Sequence, residues 1–218
     1  MNRFASNARE AAGAALVLAY EIGAHRAVTT PGLAGLGLAL VLAPTAIVAL
    51  GFALRSPHRG VLLPLLAAVA AVLWVLHGPL ARHYEWGLYL EHALFNGALG
   101  CLFGRTLAPG REPLCSQFAA MTRGRPLAPE VAAYTRRITA AWAIFFAVVV
   151  AVSTVLFASA SLQTWSTFAN YLTLPLVALM FTAEHACRRF ALPGVKSAGI
   201  LESLRAYRRS TGARAVLR

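Results

Sequence analysis

Polar and apolar positions along this chain sort into long uncharged runs separated by short charged ones. The longest run is Ile138 to Ala183, 46 consecutive residues with no Lys, Arg, Asp, Glu or His. Arg136 and Arg137 close it on one side, and Glu184, Arg188 and Arg189 close it on the other. A bilayer's hydrocarbon core takes about 20 apolar residues per helix, so the run holds two crossings and a short turn. The polar residues Ser159, Ser161, Gln163 and Thr164 mark that turn. The pattern predicts a transmembrane helical hairpin, residues 138–158 and 166–187.

Four further spans are expected upstream, at residues 11–27, 32–54, 61–80 and 88–107. The first follows a basic start and has the length of a secretory leader. However, Glu21 and His25 stand where a cleavage site should be small and neutral, so an uncleaved helix is preferred. The second carries Pro44, which predicts a kink, and Gly35, Gly37 and Gly51, which allow close helix approach. The segment 108–137 is too polar to span and reads as a cytoplasmic loop with a short interfacial helix near Leu114 to Met121. In the tail, residues 194–218, Ile200, Leu201, Leu204 and Tyr207 against Arg205, Arg208 and Arg209 predict an amphipathic surface helix. The expected fold class is therefore all-α, a single polytopic bundle of six helices with both termini in the cytoplasm.

Composition supports this class: 58% of the 218 residues are hydrophobic and 13% are charged. The formal charge of +12 reads as orientation signal and contact with anionic head groups. Nucleic acid is excluded as a partner because no recognition motif accompanies the charge. With six spans, the cytoplasmic segments hold Arg3 and Arg9, then Arg55 and Arg59, then Arg105, Arg111, Arg123, Arg125, Arg136 and Arg137. Eight more basic residues follow from Arg188 onward, which makes 18 inside against only Arg26 and Arg82 outside. The three cysteines form no disulfide framework in this topology. Metal, P-loop, nucleophile-elbow and dinucleotide motifs are absent, and no cofactor is implied.

Two polar groupings carry the candidate chemistry. Toward the outer side, Glu21 and His25 lie four apart on one helix, His77 ends the third span, and Glu91, His92 and Asn96 enter the fourth, with His83 and Glu85 nearby. Such residues inside spans serve proton or substrate paths, bind a metal, or simply meet head groups and water. His92 and Asn96 share a helix face, whereas Glu91 points about 100° away. Toward the inner side, Arg105, Arg111, Arg136, Arg137, Arg188 and Arg189 form a basic face, with Glu184 and Arg188 spaced for a structural ion pair. Guanidinium groups fit phosphate bidentately, so this face suits lipid head groups or an acidic carrier protein. Asn170, Val177 and Glu184 recur every seven residues, a stripe expected to pack against the fifth span.

The run Tyr134, Thr135, Arg136, Arg137, Ile138, Thr139 with Trp142, Phe145 and Phe146 resembles a family of bacterial inner-membrane proteins. Its members are encoded in aryl-polyene and xanthomonadin-type pigment clusters. Trp165, Phe168, Asn170, Phe181, Glu184 and Arg188, and the segment Phe103 to Leu107, fit the same resemblance, which covers residues 84–193. It implies a place beside ketosynthases and acyl carrier proteins, with membrane lipids and those enzymes as partners. It implies no catalytic residues, and the chain lacks the Cys and two His of a soluble ketosynthase. The expected role is thus an inner-membrane accessory protein for an aryl-polyene or related acyl lipid. A small transporter or flippase using Glu91, His92 and Asn96 is the alternative, followed by an intramembrane acyl- or glycosyl-transferase. The orientation is testable: alkaline phosphatase fused after Arg218 should be inactive and β-galactosidase active, and the opposite pattern reverses every inner and outer assignment.

Overall fold

The structure is a computed structural model of the chain and describes residues 2–123 and 126–191. The described residues are helix, turn and bend, with no strand among them. In chain order the helices are α1 (Asn2–Thr29), α2 (Ala34–Arg55), α3 (Arg59–Val75), α4 (His77–Arg82), α5 (Tyr84–Arg105), α6 (Leu114–Arg123), α7 (Pro129–Ser159), α8 (Leu162–Thr167) and α9 (Thr173–Ala191). A π-helical turn, Phe168–Leu172, joins α8 to α9. The tail 194–218 lies outside the described residues.

Among the described residues, three helical segments are long and apolar enough to cross a membrane: Ala34–Arg55, Pro129–Ser159 and Leu162–Ala191. Four expected spans differ in detail. α1 and α5 have the length, but the polar residues along them keep them out of this set. The third span is broken: α3 is apolar but only 17 residues long, and the chain turns at Leu76 before α4. The helix of the hairpin's first arm begins at Pro129, not Ile138, so the end of the expected loop is helical. The short helix expected within that loop is α6.

The described residues fall into two compact units. Of the described residues, 2–94 and 153–174 make the first, and 95–123, 126–152 and 175–191 the second.

In the first unit the core is formed by Ala24, Leu88, Trp165 and Ala169, with Val28, Leu40, Val41, Tyr84, Tyr89, Leu156, Phe157 and Leu162 around it. Small residues let its helices approach. The missing Cβ of Gly37 is replaced by the Tyr84 ring, whose Cδ2 would lie 2.2 Å from it, and that of Gly87 by Val41 Cγ1 at 2.7 Å. Tyr84 then donates its hydroxyl to the Ala27 carbonyl at 2.7 Å, tying α5 to α1. Gly35 and Gly51, expected to act like Gly37, have open space where a Cβ would sit. The hairpin turn is closed by Ser161, whose Oγ accepts the Thr164 N–H at 3.2 Å and caps α8.

In the second unit an aromatic core surrounds Trp142: Phe103, Phe145, Phe146 and Phe181 have ring centroids 5.9, 5.7, 5.7 and 4.6 Å away. α6 is docked through its first turn, whose N–H groups have no partner within the helix. Leu114 N–H goes to Thr106 Oγ1 at 3.0 Å and Cys115 N–H to Thr139 Oγ1 at 3.2 Å. Ser116 and Thr135 share a hydroxyl hydrogen bond of 2.6 Å. Overpacking a close contact costs about 1–3 kcal/mol, so Gly37→Ala should lower thermal stability in detergent while Gly35→Ala leaves it unchanged. Equal melting temperatures for the two variants would contradict the Gly37 contact.

Candidate functional site

The first unit holds a directed chain of hydrogen bonds through His92 on α5. Trp165 Nε1–H donates to Ser153 Oγ at 3.0 Å. Ser153 Oγ lies 3.1 Å from His92 Nδ1, and His92 Nε2 lies 3.2 Å from Thr173 Oγ1. Thr173 gives its own hydroxyl hydrogen to the Phe168 carbonyl at 3.0 Å. A threonine hydroxyl has one hydrogen, so Thr173 Oγ1 accepts from His92 Nε2–H. The Ser153–Nδ1 contact occupies the other ring nitrogen. The chain ends at the π-helical turn, where the Thr173 N–H also reaches Phe168 O. Pro175 favours the turn, since it offers no N–H to the preceding turn of helix, and π turns recur at functional sites.

The remaining polar residues of this unit form two further contacts. On α1, Tyr20 donates its hydroxyl to Glu91, and the neighbouring Glu21 is half-buried. His25 Nδ1 lies 3.1 Å from Ser166 Oγ, which also accepts from Asn170 Nδ2 at 2.9 Å. The Tyr171 ring covers His25 with centroids 4.5 Å apart. Thus Glu21, His25, Glu91 and His92 are in the same unit, but Glu91 and His92 use different partners, as their angular offset on α5 requires. His77 is exposed and bonds locally to the Trp74 carbonyl at 2.6 Å. His83 and Glu85 lie 3.7 Å apart, with His83 exposed. Asn96, one turn after His92 on α5, is 3% exposed.

In the second unit Glu184 is the centre. Its Oε1 takes Arg188 at 2.7 Å, its Oε2 takes Trp142 Nε1–H at 3.1 Å, and its backbone carbonyl takes the Tyr134 hydroxyl at 3.1 Å. The ion pair thus anchors the aromatic core to α9. Of the seven-residue stripe, Asn170 lies within the π turn and Glu184 meets Trp142 and Tyr134 of α7. Arg136 donates to the Leu107 carbonyl at 2.8 Å. Arg105, Arg111, Arg137 and Arg189 are exposed. Burial pushes the Cys115 thiol up to about 11.

Sequence reading missed Tyr20, Ser153, Trp165, Ser166 and Thr173. Ser166, Asn170 and Thr173 are spaced four and three apart, a helical polar stripe in an apolar run that would have been the signal for them. Among the described residues no three His, Cys, Asp or Glu side chains converge on a common point for a metal. Comparison of the chain with protein-family models, curated proteins and solved structures finds no match.

Two outcomes follow. Ser153→Ala removes the partner of the buried Trp165 N–H and of His92 Nδ1, which costs about 1–3 kcal/mol. A melting temperature in detergent equal to wild type would contradict the chain. The Cys115 thiol, protonated until the pH nears about 11, should alkylate slowly at pH 8 and faster as the pH rises. Rapid iodoacetamide labelling of Cys115 at pH 7 would contradict its burial.

Proposed function

We propose that the chain is a multi-pass inner-membrane protein that assists the synthesis or movement of an acyl lipid of the aryl-polyene class. In this reading six helical segments cross, both termini stand in the cytoplasm, and α3 with α4 makes the broken third crossing. The pathway follows from the resemblance around residues 134–146. The observation that carries substrate contact is the His92 chain, a buried line of polar groups among apolar helices. Polar groups at such depth are costly unless satisfied, and they commonly mark the path of a substrate's polar end. The basic face around Arg136 then meets lipid head groups or an acyl carrier protein.

A second reading, a small transporter, is favoured by the Tyr20–Glu91 contact beside Glu21, which offers carboxylates for proton or cation passage. Acyl transfer is the weakest fit. Ser153 and His92 have the spacing of nucleophile and base, yet Ser153 is 0% exposed and beneath Trp165, so no acyl group reaches it.

A deletion strain should show an altered acyl-lipid or pigment profile, restored by the wild-type gene and not by one carrying His92→Ala. For accessory handling, intermediates accumulate at the inner face; for transport, finished product does. An unchanged profile in the deletion strain would remove the pathway reading.

A further inference from the structure

The second unit contains a groove of about 720 Å³ lined by Glu112, Pro113, Ser116, Leu127, Ala133 and Arg136, among others. We propose that it binds one acyl chain of an anionic membrane lipid, with Arg136 holding the head group. The inference rests on reading the chain as a membrane protein and is independent of the pigment pathway.

The volume falls within the roughly 300–1,000 Å³ of small-molecule sites. Its walls are chiefly apolar: Pro113 ahead of α6, Pro126 and Leu127 between α6 and α7, and Ala132 and Ala133 on the first turns of α7. The walls are held in place. Ser116 and Thr135 join α6 to α7 at 2.6 Å, and the α6 N–H groups at Leu114 and Cys115 are received by Thr106 and Thr139. A groove so pinned does not close by collapse.

Its depth along α7 sets the kind of occupant. Ala132, Ala133 and Arg136 precede the uncharged run that begins at Ile138, so they fall at head-group level, where an acyl chain and its charge are both at hand. Arg136 supplies the charge match. Its bond to the Leu107 carbonyl uses one of a guanidinium's five N–H donors and fixes its plane at the groove wall. The other donors suit a phosphate oxygen pair. Arg111 and Arg137 adjoin lining residues in sequence and are exposed, adding positive potential. Glu112 is the one acid in the lining, a like charge for an anion that Arg111, Arg136 and Arg137 outnumber.

The test uses the full chain purified in dodecyl maltoside, titrated with oleoyl-lysophosphatidylglycerol or oleoyl-lysophosphatidylcholine and read by native mass spectrometry. The anionic probe should bind more tightly. Arg136→Gln should weaken it by about tenfold, the size of one lost charge-assisted bond, and leave the choline probe unchanged. Ala133→Trp, which fills the groove, should weaken both probes, with helix content by circular dichroism confirming the fold. Arg59→Gln, remote in sequence and equally exposed, should change nothing. Three outcomes overturn the proposal: Arg136→Gln without effect, Ala133→Trp without effect, or Arg59→Gln as damaging as Arg136→Gln, which would leave only general charge attraction. Alkaline carbonate extraction reads membrane insertion separately, so a failure of that reading is distinguishable from a failure of the groove.

Discussion

The structure depends on one constraint: a polar group placed among apolar helices must find its partner inside the protein. Leaving one unmade costs about 1–3 kcal/mol, more where no water reaches. Among the described residues no buried side-chain nitrogen or oxygen lacks a partner. The way this is achieved differs between the units. In the first, Ser153, His92 and Thr173 form one chain that ends on a backbone carbonyl, Phe168 O. That carbonyl also takes the Thr173 N–H, which the π turn sets five residues on in place of the usual four. The side-chain chain and the backbone irregularity are therefore one feature. In the second unit the same constraint is met by ionic and capping bonds: Glu184 serves Arg188 and Trp142 at once, and threonine hydroxyls receive the first N–H groups of α6.

Packing obeys a second rule, which follows from the solvent. Large aliphatic side chains such as Leu94, Ile144 and Leu179 are exposed, at 69, 64 and 63%, while much of the interior is Ala, Ser, Thr and aromatic rings. A water-soluble fold of this composition would invert that arrangement. Between helices in lipid, close approach through small residues replaces hydrophobic burial as the source of attraction. Gly37 and Gly87 do this against Tyr84 and Val41, and Gly100 does it against Phe146, whose Cβ would stand 3.4 Å from an added methyl.

Helical class, the hairpin and its turn were legible from charge-free length and from the Ser159 to Thr164 cluster, because hydrocarbon thickness sets both. The interruption at Leu76 was not read, although Gly78 and Pro79, which follow it and His77, are helix-breaking signals. The start of α7 at Pro129 was hidden because Glu130, Arg136 and Arg137 are too polar for a span but ordinary in a helix that projects beyond one. Proline at the first helical position was the available signal. In the site, charged and imidazole groups announced themselves, whereas their hydroxyl partners did not. Serine and threonine are common in membrane helices, where they often bond only to their own backbone, as Thr182 does to Ala178 at 2.8 Å. Which glycines matter was equally unreadable, because Gly35 and Gly37 differ only in what lies opposite them.

The two candidate sites also differ in chemical readiness. Both nitrogens of His92 are committed, Nδ1 to Ser153 and Nε2, as donor, to Thr173, which sends its own hydrogen to Phe168 O. For His92 to meet a substrate, one of those two bonds must open, and the Thr173 bond sits beside the π turn, the least regular backbone in the last helix. Opening the Ser153 bond instead strands the hydroxyl of a residue with no exposure, so the two routes are unequal. Arg136 stands in the other condition. It is exposed, fixed by one bond to Leu107, and retains donors that no rearrangement has to release. A polar end approaching the His92 chain is admitted by exchange, whereas an anion approaching Arg136 is admitted directly.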